Sequence, residues 1–221
     1  MLRKFLISTL YKLPTKFFIF FFNLYLVRNQ TSTKVEFNKD MKNYEVIEGT
    51  IKLSLAHKLR TKLYKDGIKK RLNKLKSNLL LKKIDIKEND TVLDIGANIG
   101  EVYFLFDKKI NYIGFEPSKI EYKCLLKNTN GKIYELACSD NNNTKIIYHK
   151  SDTADNSLYE VKDYSHKSKI NCCRIDDILM TDKIKICKID TEGAEIETLI
   201  GMEKTLKKIE YLIIDLGFEK G

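Results

Sequence analysis

A chain of 221 residues holds one domain with an extension and is long enough to bury a core. Hydrophobic residues make up 43% and charged residues 32%, the balance of a globular protein; with 2 Pro and 10 Gly, no long Pro/Gly linker divides the chain. The net charge is +10, all of it carried before Thr91, and His57 to Lys83 carries eleven Lys or Arg against one acid, Asp66. Such a bias attracts phosphates or anionic lipid, or marks a solvated helix face. No aromatic residues interleave regularly with these cations, which argues against a nucleic-acid groove.

In chain order, the first feature is the charge-free run Phe17 to Val27, bounded by Lys16 and Arg28. It is shorter than the roughly 18–20 residues of a membrane span, and no small-residue cleavage site follows it. A helix docked on the core and an interfacial anchor on an anionic membrane are the two readings left, the second giving peripheral membrane contact through residues 1–28. Residues 51–83 read as helical, because Leu55, Leu59, Leu63, Ile68, Leu72, Leu75 and Leu79 recur at helical spacing, with a break at Gly67. This divides the chain into an apolar and basic extension (1–50), a basic helical segment packed on the core (51–90) and the core itself (91–221).

After Asp90 the pattern changes. Strands are expected at Thr91–Ile95, Tyr112–Phe115, Lys132–Ala137, Thr144–Tyr148, Lys169–Cys173, Ile184–Ile189 and Tyr211–Leu216. Helices are expected to open at Glu101–Phe106 and to cover Ser118–Asn128 and Glu195–Ile209. Alternation of this kind implies an α/β fold, a parallel sheet covered by helices. The five cysteines form no C-x-x-C pair and are odd in number, so small buried thiols are expected rather than a disulfide framework or a zinc site.

The strand Val92 to Ile95 runs into the glycine turn Gly96-Ala97-Asn98-Ile99-Gly100, followed by Glu101. Gly96 allows a tight turn, and Gly100 lets the backbone approach a ligand or the helix approach the sheet. A dinucleotide fingerprint would place glycine where Asn98 stands, so a nicotinamide cofactor is disfavoured and a nucleoside without a pyrophosphate suits the turn better. Asp94, at the strand end, is placed to face the cationic end of such a ligand. Glu116 follows the second strand, 22 residues after Asp94, where a carboxylate accepts both ribose hydroxyls. Pro117 starts the next helix. Ser139 and Asp140, after the third strand, are candidates for the adenine edge or form a plain turn.

A second cluster, Lys188, Asp190 and Glu192, ends the strand Ile184–Ile189. Methyl transfer to oxygen needs a base near the acceptor hydroxyl, and Asp190 and Glu192 are the candidates; the alternative is that they cap the following helix. Lys188 would tune a neighbour or bind an anionic substrate. No histidine stands beside these acids in the sequence, and no metal is assigned. Asp155 and Ser157, in the polar loop Asp152 to Leu158, are candidate substrate contacts, an exposed loop without a role being the alternative.

On the segments Asp94 to Glu101, Phe115-Glu116-Pro117-Ser118, Ala154 to Leu158 and Lys188 to Glu195, the chain resembles the FkbM-type methyltransferase family. Tyr64 to Arg71 and Asp215 to Gly221 look like a branch of that family, so the resemblance covers about residues 60–221. It implies a class I methyltransferase fold, a Rossmann-like parallel sheet with helices on both faces. It implies S-adenosylmethionine as donor, bound by Asp94, Gly96, Ala97, Asn98, Gly100, Glu101, Glu116, Pro117, Ser139 and Asp140. The reaction implied is O-methylation of a sugar or related metabolite, often in polysaccharide biosynthesis, by a cytoplasmic enzyme or one at the inner membrane face. Asn156 stands where this branch often has serine. The family fold normally ends with an antiparallel strand pair after the fifth core strand. Here Gly221 comes first, so the expectation is a truncated sheet with an exposed edge, and the alternative function is a non-catalytic binding or membrane-associated relative.

Overall fold

The computed structural model describes residues 9–149 and 164–216. The apolar run near the N-terminus folds as helix α1 (Thr15–Arg28), whose inner face buries Phe18, Phe22 and Leu26 at four-residue spacing. Three strands follow, β1 (Lys34–Asn38), β2 (Asn43–Glu48) and β3 (Ile51–Leu55), paired as an antiparallel meander. Both outer edges of this small sheet meet an asparagine amide. Asn23 of α1 accepts from the Val35 N–H (2.7 Å) and donates to the Val35 carbonyl (2.8 Å). Asn128 does the same for Ser54, at 2.7 and 3.0 Å. A side-chain amide thus stands in for the strand that each edge lacks.

Of the helical stretch expected over 51–83 with a break at Gly67, only the part after the break forms an α-helix. Ile51, Leu53 and Leu55 use the period of two and belong to β3, Lys58–Tyr64 is a 3-10 turn, and only α2 (Ile68–Asn78) is α-helical. Gly67, at φ +104°, separates the last two.

The remaining elements are β4 (Thr91–Ile95), a 3-10 turn at Glu101–Leu105, β5 (Asn111–Phe115), α3 (Lys119–Asn128), β6 (Lys132–Tyr134), β7 (Ala137–Cys138), β8 (Thr144–His149), β9 (His166–Cys173), β10 (Ile184–Ile189), α4 (Glu195–Ile200), α5 (Glu203–Leu206) and β11 (Ile209–Ile214). Five strands form one parallel sheet in the order β11-β10-β4-β5-β6. Counted along the chain this is 3-2-1-4-5, with the direction of winding reversing between β4 and β10. In open parallel sheets, ligands bind at the carboxyl ends of the strands at that reversal.

Two expected elements are split. The strand foreseen at Lys132–Ala137 breaks after Tyr134, and β7 pairs instead with β9 in a second small sheet that also holds β8. The helix foreseen at Glu195–Ile209 breaks at Gly201, where an added Cβ would lie 1.9 Å from the Ser139 carbonyl oxygen. All five cysteines are buried and unbridged. Among the described residues no helix is long and apolar enough to cross a membrane. The loop that holds Asp155 and Ser157 lies outside the described residues.

Candidate functional site

A cavity of about 250 Å³ opens at the carboxyl ends of β4, β5 and β10. Its first wall is the glycine turn. The N–H groups of Gly96 and Ala97 both donate to the Phe115 carbonyl (3.0 and 2.9 Å), folding the turn over the end of β5. Gly96 has φ +71°, and a Cβ there would sit 1.8 Å from the Asp190 carbonyl oxygen. Gly100 has φ +84°, and its missing Cβ makes room for Leu125 of α3 and for Thr129 just beyond it. Of the two uses foreseen for Gly100, the structure displays the packing one.

Asn98 adopts φ +52° without being glycine, a conformation that side chains adopt at a cost. Its N–H donates to Glu116 Oε2 at 2.8 Å, and its own Oδ1 is buried without a hydrogen-bond partner. Glu116 Oε1 accepts from the Ser118 N–H, also at 2.8 Å. Burial, followed by the nearby Glu121 charge, pushes the Glu116 carboxyl up to about 8, against the pull of these two N–H groups. The folded chain therefore binds this proton more tightly than the unfolded chain, and stability falls as pH rises from about 4.5 through 8, by about 1.4 kcal/mol per unit of separation. Glu116→Gln is expected to remove this decline, which urea titrations at pH 5 and pH 8 would detect. Equal slopes in both proteins would show that Glu116 ionises freely.

The opposite wall carries Lys188, Asp190, Thr191 and Glu192. Lys188 Nζ donates to the Gly96 carbonyl at 2.8 Å and lies 3.3 Å from both Asp94 Oδ1 and Asp190 Oδ2. Burial alone would lower its pKa. The two carboxylates outweigh burial and hold the ammonium above its ordinary value, so Lys188 acts as a fixed cation and not as a base. Asp94 is fully buried behind it and accepts from the Tyr112 hydroxyl at 2.6 Å. The loop after β10 is shaped by Glu195, whose Oε1 accepts from the Thr191 N–H (3.2 Å), the Thr191 hydroxyl (3.2 Å) and the Gly193 N–H (3.0 Å). Glu192 takes φ +52° at the tip of that loop. The N-cap of α4 is Ala194 and carries no side-chain capping bond, so Glu195 pins this turn and Asp190 points its carboxylate at Lys188.

A family model described as "Methyltransferase FkbM domain" matches residues 94–220. The chain belongs to the FkbM methyltransferase family. It is 26% identical over 139 residues to the hexuronic acid methyltransferase AglP of Haloferax volcanii, an alignment that takes in 60% of this chain and 58% of that protein. The chain thus aligns with little more than half the length of that relative. No solved structure matches it.

In this FkbM domain the cavity collects Gly96, Ala97, Asn98, Glu101, Glu116 and Pro117 from the first constellation and Lys188, Asp190 and Glu192 from the second. Four foreseen residues do not line it. Asp94 is screened by Lys188 and Tyr112, and Gly100 faces α3. Ser139 is fully buried. Its N–H extends the β7–β9 pairing to the Cys173 carbonyl, and its hydroxyl accepts from Lys145 (2.6 Å) and donates to Asp140 (2.9 Å). Asp140 is turned away with it, also pairing Lys145. Where the sequence pointed to Ser139 and Asp140, the wall is made by Leu136, Ala137 and Cys138.

Several lining residues went unread, chiefly Arg60, Arg71, Leu75, Leu79, Ile147 and Asp215. Arg71 grips Glu101 with two bonds of 2.7 Å, and the Tyr64 hydroxyl donates to the same carboxylate at 2.8 Å. Burial opposes ionisation of Glu101, yet the Arg71 bonds prevail and hold its carboxyl below the usual range. Both oxygens of Glu101 are thereby engaged in tying α2 to the glycine turn. The signal for this was present as an (i, i+3, i+4) face of Ile68, Arg71 and Leu72 inside the basic run.

Proposed function

We propose that the chain transfers a methyl group from S-adenosylmethionine to a hydroxyl of a sugar, with a uronic acid as the favoured acceptor class. The observation that carries the donor assignment is the Glu116 carboxyl, held at the end of β5 by two backbone N–H groups and flanked by the unpartnered Asn98 Oδ1. A buried acceptor pair of this kind fits a molecule that brings hydroxyl and amino donors, such as a nucleoside. The class I methyltransferase fold, with S-adenosylmethionine bound over the β4–β10 reversal, is the reading that the strand order and the family support.

When bound, S-adenosylmethionine supplies a methyl group on a sulfonium. The chain's own contribution is positioning and proton handling. Leu136, Ala137 and Pro117 offer an apolar slot for a flat base. Asp190, beside the fixed cation Lys188, is our candidate to accept the acceptor's hydroxyl proton, with Glu192 at the same rim as the alternative. Arg60 gives the wall a cationic group suited to an acceptor that carries a carboxylate, the chemistry named in the hexuronic acid methyltransferase relative, whereas Lys188 is already held by Asp94 and Asp190.

Calorimetric titration with S-adenosylhomocysteine tests the reading. The wild type should bind, Glu116→Ala should lose at least about tenfold in affinity, since it removes the buried carboxyl that would accept the ribose hydroxyls, and Asp190→Asn should bind nearly as the wild type does while losing turnover on a uronate-bearing acceptor. A folded wild type that does not bind would sink the donor assignment. Undiminished turnover in Asp190→Asn would pass the proton-accepting role to Glu192.

A further inference from the structure

Helix α1 is apolar on every side, yet only one side is covered. Phe17, Phe20, Phe21, Leu24 and Val27 point away from the protein, each between 42% and 69% exposed. At 100° per residue they share one stripe roughly 120° wide. Five such side chains expose on the order of several hundred Å² of apolar surface, the size at which a patch marks an interaction site.

The surroundings of the stripe identify its partner. Lys12, Lys16 and Arg28 are exposed around it. The first 35 residues contain six Lys or Arg (Arg3, Lys4, Lys12, Lys16, Arg28 and Lys34) and no Asp or Glu. The basic 3-10 turn Lys58–Tyr64 lies against the start of the helix, where Lys58 Nζ donates to the Leu13 carbonyl at 2.8 Å and the Tyr11 and Thr61 hydroxyls meet at 3.3 Å. That turn adds exposed Lys62 and the partly exposed Leu63. A second copy of the chain docked through α1 would set these cations against their own images. An apolar stripe with Lys12, Lys16 and Arg28 beside it instead matches the interfacial layer of a bilayer that bears anionic headgroups. The helix has 14 residues, about 21 Å at 1.5 Å each, too short for a hydrocarbon core of about 30 Å, and its inner face is already occupied by Phe18, Phe22 and Leu26. It is built to lie flat.

We propose that α1 seats the protein on an anionic membrane surface, with its outer Phe/Leu/Val stripe in the interfacial layer and Lys12, Lys16 and Arg28 on the headgroups. This proposal is independent of the methyl-transfer reading. The test is flotation of the full chain with phosphatidylcholine vesicles, with and without phosphatidylglycerol. Binding is expected with phosphatidylglycerol, much weaker without it, and reduced by salt. Phe20→Glu/Leu24→Glu, at exposed positions, should cut partitioning by at least about tenfold while circular dichroism stays native; Phe20→Ser/Leu24→Ser serves if the acidic pair misfolds. Lys16→Glu/Arg28→Glu should flatten the salt dependence. No vesicle binding by the wild type, or binding indifferent to the stripe variants, overturns the proposal. Self-association that the stripe variants abolish, without vesicle binding, would overturn it in favour of a dimer.

Discussion

Gly96→Ala is expected to destabilise the fold on the order of 4 kcal/mol and to abolish ligand binding. Two independent costs meet at this residue. The backbone sits at φ +71°, where a Cβ is disfavoured. That Cβ would also lie 1.8 Å from the Asp190 carbonyl oxygen and 2.9 Å from its carbon, atoms of a neighbouring core strand's end and not of a side chain that could swing aside. Overpacking against side chains costs about 1–3 kcal/mol; against backbone the sheet must separate, and the Asp190 N–H to Ile95 carbonyl bond (3.1 Å) is lost with it. Gly114→Ala is the control, because its nearest neighbours are side-chain atoms at 3.2 Å and its φ is ordinary. Urea denaturation of both variants decides the matter. If Gly96→Ala lies within about 1 kcal/mol of Gly114→Ala, the β4–β10 junction is looser than its geometry indicates.

The second large effect is expected at Arg71. Replacement by Met keeps most of the side-chain length and leaves the largely buried Glu101 with the Tyr64 hydroxyl and the Arg60 charge, a change expected to cost about 3 kcal/mol, the low end for breaking a buried pair. Arg71→Met/Glu101→Gln should recover much of that loss, because no unpaired charge remains. The pH dependence separates this from a simple packing defect. In the wild type the depressed Glu101 carboxyl contributes stability that is present above the ordinary Glu pKa of 4.5 and lost as pH falls through its lower folded value. In Arg71→Met burial is no longer outweighed and lifts the Glu101 carboxyl above its ordinary value, so the penalty relative to the wild type should begin to shrink above pH 4.5 and go on shrinking as pH falls through the wild type's depressed value. A penalty constant from pH 7 to pH 4 would assign the loss to packing alone.

The core strands were legible as short segments rich in Ile, Val and Leu; Ile184–Ile189 has the bounds the sequence predicted even though Lys185 and Lys188 interrupt it. The N-terminal sheet was not legible. Leu55, Leu59 and Leu63 keep helical spacing by coincidence, and the alternation of Ile51, Leu53 and Leu55 is too short to outvote them. Within the site, Gly96 and Glu116 could be read from spacing along a strand-turn-helix unit. Ser139 and Asp140 could not be placed, since their position depends on β7 leaving the main sheet for β9. The partnership of Arg71 with Glu101 joins positions 30 residues apart, so local charge patterning showed only a run of cations. Asp94 was read as facing the ligand because it ends a strand; Lys188, reaching across from β10, stands between it and the cavity.

The amide of Asn128 carries one more implication, for how sequences in this family drift. Its three bonds go to the N–H and carbonyl of Ser54 and to the carbonyl of Ile99 (2.8 Å), all of them main-chain groups. The Ser54 hydroxyl itself is buried without a partner. Inheritance should therefore hold the two ends of this clasp to different standards. Position 128 must keep a short amide, whereas position 54 is open to any small residue.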